Sequence, residues 1–176
     1  GSAGDIGYWW QVLAWRATSR GDRAAAIAAC DSTEQTCDAH AIMGPARHIF
    51  THLLLGAIAV QTRDLDAAEA HINKMESFLN PDRCLERGWG NWIRSIMAAM
   101  RDDWPRAIRF AQNELDILLE GGAVFQLYYA YLHLAGGLIG SQRFTEAAAA
   151  IENARAILVD SPEFRNLADV DFVAAW

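Results

Sequence analysis

Four alanines stand near the head of four amphipathic segments, Ala26, Ala68, Ala107 and Ala147, spaced 42, 39 and 40 residues apart. Twelve residues before each lies another small residue: Ala14, Gly56, Ser95 and Ala135. Eighteen residues before each lies an aromatic one: Tyr8, Phe50, Trp89 and Tyr129. A period of this length is what a stack of helical hairpins produces, because one hairpin buries its apolar face only against its neighbours. The small pairs have a direct physical reason. Two helix axes approach closely only where the side chains at the crossing are small. The aromatic about two turns earlier fills the wider gap against the next hairpin. One column of small residues would mean little in an alanine-rich chain; three columns in register across four copies carry far more weight.

The connecting segments repeat as well. Gly21-Asp22-Arg23-Ala24-Ala25-Ala26, Arg63-Asp64-Leu65-Asp66-Ala67-Ala68, Asp102-Asp103-Trp104-Pro105-Arg106-Ala107 and Gln142-Arg143-Phe144-Thr145-Glu146-Ala147 each join an apolar helix to an amphipathic one. Strictly alternating β-branched runs are missing, which favours helices throughout. The spacing predicts helix pairs at 5–20 with 23–38, 46–62 with 65–79, 83–101 with 104–120 and 123–141 with 144–159. A ninth helix is expected from Ser161, with Pro162 in its first turn and Glu163 at the positive end of the dipole. Gly44-Pro45 and Asn80-Pro81 punctuate between hairpins, and Pro105 belongs at a helix start.

These columns resemble the tetratricopeptide repeat, in which small residues twelve apart mark the two helices of each hairpin. Leu65, Trp104 and Phe144 match the hydrophobic turn position, and Gly21 matches its glycine. Arg23 departs from the first pattern; Arg63, Asp102 and Gln142 depart from the second. The resemblance covers roughly residues 5 to 160. Its period, near 40 in place of the usual ~34, is closest to the repeat region of MalT-type activators of the LuxR class, and also looks like peptide-sensing repeat domains of bacterial quorum regulators. The resemblance implies an all-α, TPR-like superhelix of about four hairpins plus a C-terminal helix. Residues 1–4, Gly-Ser-Ala-Gly, look like a cloning remnant, and 5–176 read as one repeat domain. The apolar end Phe172-Val173-Ala174-Ala175-Trp176 reads as a fragment of a longer protein, or as an end that packs on itself or on a second copy through the terminal helices.

Composition narrows the function. The chain has 176 residues, 52% of them hydrophobic, enough for a real core. Its formal net charge of −7 disfavours direct contact with nucleic acid and adsorption to anionic membranes. No apolar run reaches transmembrane length; Ala123 to Ile139 comes nearest but carries Gln126, three tyrosines and His133. Three cysteines, Cys30, Cys37 and Cys84, at irregular spacing form no disulfide framework, so a reducing, cytoplasmic setting is expected.

Catalytic signatures are absent: no phosphate loop, no Gly-x-Gly-x-x-Gly, no Gly-x-Ser-x-Gly, no His-Glu-x-x-His. The expectation is therefore a chain with no catalytic residues, no metal and no cofactor. Asp64, Asp66 and Glu69 sit in a first helical turn, where the dipole favours them. His48 and His52, four apart, share one helix face and could reach one metal ion as a pair, but no third ligand is placed. Cys37-x-x-His40 likewise has no second half.

Seven tryptophans are many for this length. Carrying the family's groove positions onto this chain gives Tyr8, Phe50, Trp89 and Tyr129; then Gln11, Leu53, Trp92 and Leu132; then Trp15, Ala57, Ile96 and Gly136. Aromatics at helical spacing usually build core. Where some remain exposed, an aromatic wall with a polar anchor such as Gln11 or Asn91 suits a sugar ring, a small apolar effector or an inserted helix. The expected binding groove comprises Gln11, Trp15, Trp89, Asn91, Trp92, Ile96 and Tyr129. The expected function is a non-catalytic module that senses a small-molecule effector or binds a regulatory partner within a bacterial transcription regulator. The alternative is a scaffold that docks a partner peptide or helix in the concave groove.

Overall fold

A computed structural model describes residues 3–40, 44–80 and 84–160. These form eight helices: α1 (Ala3–Ser19), α2 (Arg23–His40), α3 (Gly44–Gln61), α4 (Leu65–Glu76), α5 (Cys84–Ala99), α6 (Trp104–Glu120), α7 (Val124–Gly140) and α8 (Phe144–Asp160). Among the described residues there is no strand, and the fold is all-α. No helix among them is long and apolar enough to cross a membrane.

All four expected helix pairs are present, every end within three residues of the expected one, and two of the differences have a local cause. First, α4 stops at Glu76, three residues short of the expected end. The N–H of Ser77 closes the helix on Asn73 and its Oγ donates to the Lys74 carbonyl at 2.7 Å. Second, Gly44 and Pro45 do not stand outside a helix but open α3, where a proline lacking an N–H costs nothing. The expected ninth helix lies outside the described residues.

The repeat is written most clearly in the turns between paired helices. The N–H groups of Asp22, Asp64, Asp103 and Arg143 donate to the carbonyls of Ala17, Ala59, Ala98 and Leu138 at 2.9, 2.9, 3.0 and 2.9 Å. The preceding residue is left-handed in every copy: Gly21 at φ 71°, Arg63 at 59°, Asp102 at 57° and Gln142 at 61°. One helix-ending geometry therefore recurs four times, although only the first copy carries the glycine that it favours. Asp22, Asp64 and Asp103 then cap the following helix, each Oδ1 accepting from the N–H three residues on at 3.1, 3.1 and 3.2 Å. The fourth copy has Arg143 there, which instead forks onto Glu146.

The small-residue columns lie at the helix crossings. Ala14, Ala26, Ala68, Ala107 and Ala135 are fully buried. A Cβ on Gly56 would stand 3.0 Å from Ile72 Cδ1 of α4, and Ser95 Oγ satisfies itself on the Ala107 carbonyl at 3.0 Å.

The chain divides into two compact units, residues 1–81 and 82–176. In the first, α1 packs on α2 and α3, and α3 packs on α2 and α4. Its core joins Ala14, Ala29, Cys30 and Leu54, then Ala17, Ala26 and Ile58. In the second, α5 packs on α6 and α7, and α7 packs on α6 and α8. Its core joins Leu115, Leu118, Leu127 and Ala130, then Ala135, Leu138, Ala147 and Ala150. Among the described residues of each unit, the first helices of successive hairpins touch while the second helices do not.

Candidate functional site

The second unit holds the most chemically specific cluster. The inward stripe of α6 is Ala107, Ala111, Leu115 and Leu118, and Glu114 lies in it with only 2% exposure. A carboxylate at such depth needs a partner. His133 of α7 provides it, with Nδ1 2.9 Å from Oε2 and 3.2 Å from Oε1. Since a carboxylate only accepts, the Nδ1–H is the donor. The tautomer is thereby set, and Nε2 is left to meet another group. The His133 side chain stays 21% exposed. Trp92 of α5 covers one face of the imidazole, the two ring centroids 5.7 Å apart and the planes 20° from parallel.

Trp92 belongs to the column Gln11, Leu53, Trp92 and Leu132. Leu53, Leu132 and Gln11 are all buried; Trp92 alone of these four is half-exposed. Trp89, Asn91 and Ile96 of α5 and Tyr129 of α7 are also half-buried. Asn91 turns its Nδ2 back onto the Arg87 carbonyl at 3.0 Å. Tyr129 meets the buried Tyr128 edge to face, centroids 4.8 Å apart. The second unit thus presents Trp92, with His133 anchored beneath it, flanked by partly covered aromatics. Sequence reasoning does not single out Glu114. The available signal was one acid at a helical step inside the apolar stripe of α6.

The first unit carries Gln11 and Trp15. Gln11 is 7% exposed, and its Nε2 has no hydrogen-bond partner among the described residues. It is therefore a buried amide and not an anchor at an open rim. Trp15 is 47% exposed on α1, whereas Ala57, its register mate on α3, is buried.

His48 and His52 share α3 and both rings stack on Phe78, but their ring nitrogens meet different partners. His48 Nδ1 lies 3.0 Å from Glu34 of α2, and its ring stacks on Phe78 at 4.6 Å. His52 Nδ1 meets His71 Nδ1 of α4 at 3.1 Å, with the rings stacked. Burial first, then the neighbouring His71, His48 and Lys74, push the His52 pKa down to about 4. Burial lowers His71 as well, against the opposing pull of Asp64. Among the described residues no group of three or more His, Cys, Asp or Glu is placed to hold a metal ion. The side chains of Cys37 and His40 lie outside those described. Burial, then Asp31 and Glu34, pushes the Cys30 thiol up to about 12, where it is inert as a nucleophile. Cys84 Sγ lies 3.9 Å from the Gly121 carbonyl.

Comparison of the chain with protein-family models, with curated proteins and with solved structures gives no match.

Proposed function

We propose that this chain is a non-catalytic, tetratricopeptide-like binding module, the effector-sensing or regulatory-partner-binding part of a bacterial transcription regulator. The observation that carries the binding reading is the half-exposed Trp92 stacked on His133, whose Nδ1 is fixed by the buried Glu114. A rigid indole beside an oriented imidazole is a small recognition surface. The indole face takes a sugar ring or an apolar ring. The imidazole Nε2 gives or accepts one hydrogen bond at a fixed angle, and Glu114 holds it there without side-chain entropy to lose on binding. The His133–Glu114 pair has the orientation of a base and its support, but His133 has no hydroxyl or thiol as hydrogen-bond partner among the described residues. That favours recognition over nucleophilic chemistry. The regulatory context rests only on the resemblance of the repeat columns, with their period near 40, to the repeat regions of MalT-type activators.

The test is tryptophan fluorescence and thermal shift of the full chain against short oligosaccharides, common metabolites and peptide pools. A ligand at 100 times its dissociation constant should raise stability by about 2.7 kcal/mol. Trp92→Ala and His133→Ala should each abolish the shift while the far-UV spectrum stays helical. A saturable ligand whose affinity neither substitution changes would remove this surface from the reading.

A further inference from the structure

Three glycines lie on α7, and packing accounts for two of them. A Cβ on Gly137 would stand 3.1 Å from Ile108 Cγ1 of α6, and a Cβ on Gly140 would run into the ring of Trp104 at the start of α6. Both let α6 approach α7 closely. Gly136 is different. A Cβ there would meet no atom within 4 Å, and the residue is exposed. Glycine is a poor interior helix residue, because it loses more backbone freedom on folding than alanine does. No packing among the described residues offsets that cost at Gly136.

The repeat register sharpens the contrast. Gly136 stands in the column of Trp15, Ala57 and Ile96, and α7 is the one copy with no side chain there. Ala57 is buried, but Ile96 stays half-exposed with α7 packed beside α5, so a neighbouring helix does not by itself close this position. Gly136 follows His133 by one turn on α7, and Ile96 follows Trp92 by one turn on α5. Residues three and four apart share a helix face, and the Trp92 and His133 rings are stacked. A patch of bare α7 backbone therefore continues from the imidazole, one turn along from it, with Ile96 one turn along from the indole.

The chemistry of this patch selects the ligand. Backbone N–H and C=O groups inside a helix bond to one another, so the floor offers no hydrogen bond and takes an apolar face. Trp92 and Ile96 add aromatic and aliphatic surface. The polar handle is His133. With Nδ1–H donated to Glu114, the neutral ring carries its lone pair on Nε2, which accepts. The polar neighbours in sequence of Trp92 and Ile96 spend their donors inside the chain: Asn91 Nδ2 on the Arg87 carbonyl and Ser95 Oγ on the Ala107 carbonyl, each at 3.0 Å. A ring with polar groups all round its edge is poorly matched here, and a flat ring with a single donor is well matched. We propose, resting on the reading of Trp92 and His133 as a binding surface, that Gly136 is the floor of that site. A planar aromatic ring lies on the bare α7 backbone and donates one edge O–H or N–H to His133 Nε2. Any side chain in place of Gly136 would occupy the volume of the ring, so Gly136 determines which ligands enter.

The test titrates the isotope-labelled full chain with phenol, anisole and cyclohexanol, read by NMR at the backbone amides and the indole N–H groups. Anisole lacks the donor, and cyclohexanol lacks the flat face. Phenol should shift the Gly136 amide and the Trp92 indole signal and bind about tenfold more tightly than either analogue. Gly136→Ala should weaken phenol by about tenfold, the effect of one methyl group in a ligand site. The same variant should raise the urea midpoint, since alanine is the better helix former where space is open. A lower midpoint in Gly136→Ala would overturn the proposal, because the position would then be packed. So would anisole or cyclohexanol binding as tightly as phenol, or phenol leaving the Gly136 amide unmoved. Trp92→Ala separates the floor from the surface it extends. Phenol affinity lost in Trp92→Ala but unchanged in Gly136→Ala removes Gly136 from the site and leaves the Trp92–His133 surface standing. Phenol affinity unchanged in both removes the surface as well.

Discussion

His133 and Glu114 stand nineteen residues apart on neighbouring helices, and the Nδ1 of one meets the Oε2 of the other at 2.9 Å. The pair is asymmetric, because Glu114 is almost wholly buried while His133 reaches solvent. Losing the histidine strands a buried acid; losing the acid frees a histidine that water can still reach. His133→Leu should therefore cost more stability than Glu114→Leu, by about 1–3 kcal/mol, the range for an orphaned buried polar group. The double variant should recover part of the loss, since replacing both partners by apolar groups removes the desolvation penalty along with the bond. Urea unfolding of the three variants and the parent gives the coupling directly. Strictly additive losses would mean that the pair contributes nothing as a pair.

The left-handed turns offer a cleaner experiment, because the same backbone geometry occurs with and without glycine. Arg63, Asp102 and Gln142 hold φ near +60° with a Cβ present, whereas Gly21 holds it freely. A left-handed L-residue costs roughly 1–2 kcal/mol, partly offset by the unfolded-state entropy that glycine adds. Asp102→Gly and Gln142→Gly should each raise the stability read from urea unfolding, by up to about 1 kcal/mol. A Cβ at position 21 has no atom within 4 Å, so Gly21→Ala tests the φ angle alone and should lower stability by about 1 kcal/mol. Equal midpoints across this set would show that the turns relax when substituted.

The turns also mark how far sequence can be read. Ala26, Ala68, Ala107 and Ala147 fix the second helices and Ala14, Gly56, Ser95 and Ala135 the first, because small residues at a crossing are a steric requirement that leaves a pattern. The four turns could be aligned by those columns even where Arg63, Asp102 and Gln142 replace glycine. The end of α4 at Glu76 was not legible from apolar spacing, which runs on through Phe78 and Leu79; Phe78 lies beyond the helix and stacks on His48, a tertiary contact. The site was only half legible. Trp92 came from register, but Glu114 and His133 find each other through the packing of α6 on α7, which has no local signature. Leu53 and Ala57 occupy the expected groove positions yet are buried, because helical spacing says which face a residue shares and not whether that face is covered.

Gln11 is a buried amide whose Nε2 finds no partner among the described residues. An unmet donor at that depth costs about 1–3 kcal/mol, while an apolar side chain of similar length has no such penalty. Gln11→Met should therefore leave the helix content unchanged and raise stability, by at least about 1 kcal/mol in urea unfolding. The opposite sign would mean that the amide has a partner, such as a bound molecule, in the folded protein in solution.

The paired histidines of the first unit make stability depend on pH in a definite direction. His52 titrates near 4 and His71 is also lowered, both chiefly through burial, while an unfolded histidine titrates near 6.5. Between those values the unfolded chain binds more protons than the folded one. Stability is therefore full above about pH 6.5 and falls as the pH drops toward 4. Protonation sets like charges 3.1 Å apart at the two Nδ1 atoms, with Lys74 and His48 adding to the repulsion and Asp64 opposing it at His71. Both rings are partly exposed, so water moderates the effect. His52→Leu should remove most of the slope between pH 6.5 and 5, above the range where carboxylates dominate, and leave stability at pH 7.5 within about 1 kcal/mol of the parent, since the half-buried ring packs on the rings of His71 and Phe78, which an apolar side chain can also cover. Urea midpoints at pH 7.5, 6.5, 5.5 and 5.0 for parent and variant decide it. If both lines keep the same slope, the acid sensitivity lies elsewhere and the His52–His71 contact is electrostatically silent.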